Sequence, residues 1–172
     1  MNAHPNQYYA LQDACKQFLK RGDWRNSYAV TTHLKERFRF PQDHEVEKLR
    51  LDASLNNKYF LKRLDYCIYG NSSKPTRGNK RTTRIVAIEE GKDRIHCHFL
   101  IACPPKIDLK LMQDYCRISW LKTPFAISDI DVKKHTSYSP ASSFGTYIMK
   151  QIRGDNSDAL DYENIHLPPF RK

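Results

Sequence analysis

Residues 84–101, RIVAIEEGKDRIHCHFLI, decide the fold of this chain. Two runs of β-branched and apolar residues flank Glu-Gly-Lys-Asp at 90–93, a pattern typical of a β-hairpin. Because successive side chains of a strand point to opposite faces, His96 and His98 share one face of the second strand, here called the histidine face. The opposite face is apolar and is expected to be buried under helices; its residues are Ile95, Cys97, Phe99 and Ile101.

The hairpin register decides which carboxylate joins the two histidines. A two-residue turn at 91–92 puts Glu89 opposite Arg94. Glu89 is then on the histidine face, diagonally beside His96. A slip of one residue flips the faces and offers Glu90 instead. Two imidazoles and one carboxylate suit a divalent transition metal, and Mn²⁺ or Mg²⁺ if phosphate oxygens complete the coordination. The alternative is that His-x-His is ordinary polar strand surface.

Size and charge limit the classes of function. The 172 residues, 40% of them hydrophobic, suit one domain with its own core. A net charge of +10 favours an anionic partner, and nucleic acid above all. Five cysteines without a Cys-x-x-Cys pair indicate a reducing compartment. We find no membrane span, no secretion signal and no phosphate-binding loop, so we expect a cytoplasmic protein without an ATP-driven helicase motor in this chain.

Periodicity predicts the remaining elements of an α+β fold. We expect strands at 27–34, 83–89 and about 125–132, and helices at 7–20, 43–69, 108–122 and 139–154. The polar SLNN segment at 54–57 is a point where its helix could bend or break, and the order of the polar tail 155–172 is doubtful. This order predicts a ferredoxin-like (RRM-like) split β-α-β domain, with a central antiparallel sheet and helices on one face. The core would span residues 27–153 of a single domain.

The last predicted helix carries a candidate reactive tyrosine. In SPASSFGTYIMKQIRG, Tyr147 lies at the edge of the apolar stripe formed by Phe144 and Ile148, and Lys150 and Gln151 lie on the same side. Such a helix could bring the phenol over the histidine face of the sheet. The commoner alternative is an interface tyrosine that packs its ring and exposes its hydroxyl.

Basic residues in strand ends and loops are candidates for phosphate contacts, with a merely solvated surface as the alternative. They are Lys35, Arg37, Lys74, Arg77, Lys80, Arg81, Lys133 and Lys134.

Three segments taken together resemble the HUH endonucleases, which comprise rolling-circle replication initiators, relaxases and single-tyrosine transposases. The matching segments are YAVTTHL at 28–34, HCHFLI at 96–101 and YIMK at 147–150. The resemblance implies a nucleophilic Tyr147 that forms a 5′-phosphotyrosine on single-stranded DNA, with Lys150 orienting the phosphate. It also implies a Mn²⁺ or Mg²⁺ ion and DNA contacts near the first segment. The metal ligands would be Glu89, His96 and His98, with Glu90 or Gln151 as alternatives to Glu89, and the DNA contacts would be Thr31, Thr32 and His33.

The resemblance favours a monomeric replication initiator that nicks and rejoins an origin strand or hairpin, assisted by a separate host helicase. It would work in the bacterial cytoplasm for a plasmid or phage, or in the nucleus for a eukaryotic virus. A transposase or relaxase of the same superfamily is the nearest alternative. Two alternatives from other classes are a non-haem iron oxygenase, which uses a similar two-histidine, one-carboxylate triad, and a non-catalytic nucleic-acid-binding module.

Overall fold

The structure, a computed structural model, describes residues 13, 17, 19–35, 43–90, 94–135 and 159–169, without the side chains of 43–47. Its main elements are β1 (Ser27–Leu34), α1 (Asp43–Tyr69), β2 (Thr83–Glu90), β3 (Ile95–Ala102), α2 (Leu109–Trp120) and β4 (Ala126–His135). Short 3₁₀ turns lie at Gly70–Ser73, Pro75–Arg77 and Tyr162–Asn164. The predicted helix 139–154, with Tyr147, Lys150 and Gln151, lies outside the described residues, as does Arg37.

The four strands form one antiparallel sheet in the order β2-β3-β1-β4, which confirms the α+β class. The hairpin partner β3 therefore lies between β1 and β2. The largest difference from the predicted boundaries is at β4, which continues to His135. Lys133 and Lys134 thus belong to an edge strand, whereas the sequence suggested a loop.

Both helices contribute to one core on the sheet face opposite the histidines. Phe60 of α1 contacts the rings of Phe99 on β3 and Trp120 on α2, with centroids 5.1 and 5.5 Å away. Cys97 and Phe99 are fully buried here, as the strand alternation predicts. Because Cys97 and Phe99 of β3 pack against the helices in this core, the alternating histidines His96 and His98 point to the other face of the sheet.

The C-terminal segment is ordered where the sequence predicted a doubtful tail. Residues 159–166 run antiparallel to β2 and pair with its outer edge, with Leu160 opposite Ala87 and His166 opposite Arg84. Leu160 also joins a small apolar cluster with Ile85 and Leu100. The polarity of the tail gave no sign of this pairing, because its partner is the edge of β2, which lies far away in the sequence.

The SLNN residues do not break α1, which continues from Asp43 to Tyr69. Their polar groups instead bind neighbouring segments. Ser54 Oγ and Asn57 Nδ2 donate to the buried carboxylate of Asp161 at 2.7 and 3.0 Å, and Asn56 Oδ1 accepts from the backbone N–H of Phe125 at 3.2 Å. Within the described part of the chain, no helix is long and apolar enough to cross a membrane.

Candidate metal centre

The hairpin register brings one carboxylate and two imidazoles together. Glu89 lies directly opposite His96, and residues 91–94 connect the two strands. The sequence suggested a two-residue turn with Glu89 opposite Arg94, so the observed loop is two residues longer. A register change of two residues preserves the face of every side chain. Glu89 therefore shares the histidine face, as predicted.

The ligand atoms of Glu89, His96 and His98 all lie within 4.8 Å of one another. Two donors bound to one cation at about 2.1 Å are at most about 4.2 Å apart, so small side-chain shifts would bring all three onto a single ion. Two imidazoles and a carboxylate leave coordination positions for water or substrate oxygen, and they suit a divalent transition metal. The residues present thus fit the predicted cation.

The alternative ligand Glu90 does not belong to this cluster. It lies on the helix side of the hairpin, where its Oε1 accepts a hydrogen bond from Arg50 Nη1 at 2.8 Å. The other alternative, Gln151, is outside the described residues. Among the residues that the structure describes, Glu89 is therefore the carboxylate of the cluster.

His98 is held from both sides. Its Nε2 lies 2.8 Å from Glu89 Oε2, and its Nδ1 lies 3.2 Å from Thr31 Oγ1 on the neighbouring strand β1. Burial lowers the pKa of His98, and the hydrogen bond to Glu89 opposes this shift only in part. A neutral imidazole whose Nδ1–H donates to Thr31 leaves the Nε2 lone pair available to a metal, an arrangement common around metal-bound histidines.

His96 contacts a third histidine that the strand pattern alone did not connect to the metal ligands. The ring of His33 stands at 82° to that of His96, with centroids 4.4 Å apart. An irregularity in the β1–β4 pairing between Thr32 and Leu34 lies at this point, and such bulges re-aim side chains. Burial lowers the pKa of His96, and the nearby His33 lowers it further.

Asp129 on β4 is the residue that the sequence did not reveal. Its Oδ2 lies 3.0 Å from His33 Nδ1, although the angle is not that of a hydrogen bond. Only the strand order, which sets β4 beside β1, brings this carboxylate to the histidine cluster. Because Asp129 lies on a strand with few apolar residues, its local sequence does not indicate a position beside the histidines.

The predicted DNA-contacting residues fall into two groups. Lys35 lies just beyond β1, at the end of the sheet that carries the metal cluster. Four exposed cations instead occupy the loop before β2, at the opposite end. Since β2 separates Thr83 from Glu89 by six residues, the two groups are about 20 Å apart. The four loop cations are Lys74, Arg77, Lys80 and Arg81.

One predicted DNA contact does not fit the observed faces. Thr32 is fully buried on the helix side of β1, so it cannot touch DNA in this fold. Lys134 also points to the helix side, where its Nζ lies 4.5 Å from the centre of the Tyr28 ring and donates to Asn26 Oδ1. Lys134 is nevertheless exposed, as is its neighbour Lys133, which pairs with Asp131 at 2.6 Å. Thr32 was included because its sequence run was taken without its strand alternation, whereas the contacts of Lys133 and Lys134 stay predictions.

Comparison with known proteins assigns no family, because no family model matches the chain and no curated protein or solved structure matches it significantly.

Proposed function

We propose that this protein is a metal-dependent endonuclease of the HUH type, which nicks single-stranded DNA through Tyr147 and can rejoin it to initiate rolling-circle replication. The observation that carries the proposal is the cluster of Glu89, His96 and His98 on a paired hairpin, on the sheet face opposite α1 and α2. A strongly basic chain with such a cluster is suited to a phosphodiester substrate.

The strand order supports the ferredoxin-like assignment. In β-α-β-β-α-β order, a sheet arranged β2-β3-β1-β4 has two parallel strands, β1 and β2, separated by the antiparallel β3. This is the split β-α-β arrangement of ferredoxin-like domains. The histidine face is covered at one end by Trp24 and Leu160 and carries the metal cluster at the other. We therefore propose that the chain is a ferredoxin-like domain whose histidine face is the catalytic one.

The ends of the described chain are compatible with a tyrosine helix over that face. The chain leaves β4 at His135, at one corner of the sheet, and is next described at Ala159, whose carbonyl accepts from the N–H of Ile88 near the diagonal corner. Ala159 lies one strand spacing beyond β2, so four strand spacings and five residues of rise put it about 25 Å from His135. A helix of the length predicted for 139–154 spans about 24 Å. Because α1 and α2 cover the other face, we propose that this helix crosses the histidine face.

The proposed reaction is a transesterification in which Tyr147 Oη attacks the scissile phosphorus. The new bond joins Oη to phosphorus, the bond to the 3′ oxygen breaks, and the phenol proton leaves while the 3′ oxygen gains one. The reverse attack by the 3′ hydroxyl rejoins the strand without ATP. A divalent cation held by Glu89, His96 and His98 supplies Lewis-acid polarisation of the phosphate when bound. Because a phenol has an ordinary pKa near 10, the cationic Lys150 would favour the tyrosinate.

The same three ligands favour one other candidate function. A two-histidine, one-carboxylate set is also the donor set of non-haem iron oxygenases. Such an enzyme would require Fe²⁺ and a 2-oxoacid, and it would not need Tyr147. The two candidates therefore make opposite predictions for a tyrosine variant.

The decisive experiment is to incubate the protein with a pool of single-stranded oligonucleotides and Mn²⁺ and to measure a denaturant-resistant adduct. Mass spectrometry of its peptides should find the nucleotide on Tyr147. Tyr147→Phe should abolish the adduct and retain DNA binding, whereas Tyr162→Phe, at an exposed tyrosine of the C-terminal segment, should leave the adduct yield unchanged.

The outcomes separate the candidates. An adduct that persists in Tyr147→Phe removes the proposed nucleophile. Absence of any adduct, together with turnover of a 2-oxoacid in the presence of Fe²⁺, supports the oxygenase. DNA binding without an adduct and without turnover supports a binding module.

A further inference from the structure

The outer side of α1 carries a row of large, exposed apolar residues, of which Tyr66 has the Lys74 Nζ 5.9 Å from the centre of its ring. Leu51, Leu55, Tyr59 and Tyr66 are 60%, 45%, 56% and 51% exposed, and we call them the outer stripe. At about 100° per residue they fall within an arc of about 80° and form a single line along the helix. The core-facing Phe60 and Leu64 point roughly 140° and 180° away from its middle.

The other sides of α1 already have identified contacts. Its inner side packs on the sheet through Phe60. One flank binds the C-terminal segment through Ser54 and Asn57, and Asn56 binds the backbone next to β4. The outer side of a surface helix is normally polar. Four large apolar side chains there expose on the order of 400 Å², which is in the range of patches that mark interaction sites.

The charges around the outer stripe define the partner. Lys48, Lys58, Lys62 and Arg63 are all exposed and lie along or beside the outer stripe. Between residues 48 and 66, the length of the outer stripe, the acidic residues of α1 are Asp52 and Asp65, and Asp65 is buried against Arg84. A second copy of this chain would bring an equal set of cations against these, so self-pairing is electrostatically unfavourable. Carboxylates on the partner would be favourable.

We propose that the outer stripe binds an amphipathic helix of another protein, with apolar residues on one side and acidic residues along its edges. A single row of side chains about 22 Å long matches the groove along one helix, as in ridge-into-groove packing. The outer stripe lies on the side of the sheet opposite Glu89, His96 and His98, so a bound partner leaves the metal cluster open. The inference is therefore independent of the proposed nuclease activity.

The test uses a synthetic peptide of about three leucine–glutamate heptads, labelled for fluorescence anisotropy, and an isomer with its leucines dispersed around the helix. The protein should bind the first peptide and not the second. A triple variant with Leu51→Ser, Leu55→Ser and Tyr59→Ser should bind at least about tenfold more weakly, as should Lys58→Glu with Lys62→Glu.

The matched control replaces two other exposed apolar residues, Ile118→Ser and Leu121→Ser at α2, which are 50% and 47% exposed and off the outer stripe. This control should bind like the unmodified protein. Failure to bind the amphipathic peptide, or equal loss in the control, overturns the proposal. It is also overturned if the triple variant instead loses self-association, oligonucleotide binding or binding to phosphatidylserine vesicles, because the outer stripe then serves a second copy, nucleic acid or a membrane.

Discussion

Thr31→Val removes one hydroxyl beside the proposed metal ligand His98 and changes little else. The Thr31 Oγ1 lies 3.2 Å from His98 Nδ1, and His98 is only 2% exposed, so water cannot easily replace the lost partner. Leaving a buried polar group unpaired costs about 1–3 kcal/mol. Loss of a hydrogen bond to a metal-bound imidazole typically weakens metal binding about 10–100-fold. We expect Mn²⁺ affinity to fall by that factor.

The assay is calorimetric titration of the protein with Mn²⁺, with Thr32→Val as the matched control. Thr32 is the next residue, but it is buried on the helix side of β1, away from the cluster. Its variant should therefore bind Mn²⁺ like the unmodified protein. Unchanged affinity in Thr31→Val, or an equal loss in Thr32→Val, would refute the claim that the Thr31 hydroxyl supports the ligand.

Three further predictions concern stability. In the presence of a chelator, Tm should be lower near pH 5.5 than near pH 7.5, because histidines of the unfolded chain bind protons at a higher pH than those of the folded protein. An equal or higher Tm at the lower pH would contradict this. The histidines whose pKa lies below the ordinary 6.5 in the fold are His96, His98, His135 and His166. Replacing Arg84 by Met should cost about 3–5 kcal/mol in urea unfolding, because it leaves the carboxylate of Asp65 buried without its 2.7 Å partner. The exposed pair of Arg25 is the control, and Arg25→Met should change stability by less than about 1 kcal/mol. Gly22→Ala should lower Tm, since a Cβ there would lie 2.3 Å from the Trp24 ring; an unchanged Tm would mean that the ring has room to move.

Side-chain alternation made the faces of the hairpin predictable. The predicted turn was two residues too short, yet Glu89, His96 and His98 still share a face, since the error was an even number of residues. The same rule, applied to β1, would have separated Thr31 from Thr32. The alternation of side chains within the hairpin therefore predicted the grouping of these three residues. The match of residues 28–34 to a motif ignored alternation and did not distinguish Thr31 from the buried Thr32.

Contacts between distant segments were not predictable. Asp129 reaches His33 only because β4 pairs with β1, and the sheet order is not encoded in either strand alone. The polar groups of Ser54 and Asn57 looked like helix breakers because their partner, Asp161, lies more than a hundred residues away. Buried polar residues need such partners, and sequence patterns give no means of finding them.

The most direct test of the account is the Mn²⁺ stoichiometry measured by electron paramagnetic resonance for the unmodified protein, His98→Gln and His135→Gln. His135 is the matched control, because it lies on β4 on the histidine face but at the far end of the sheet, beside Ser27. The account predicts one tightly bound ion in the unmodified protein and in His135→Gln, and none in His98→Gln. Retention of the ion by His98→Gln, or its loss from His135→Gln alone, would contradict the assignment of the metal centre.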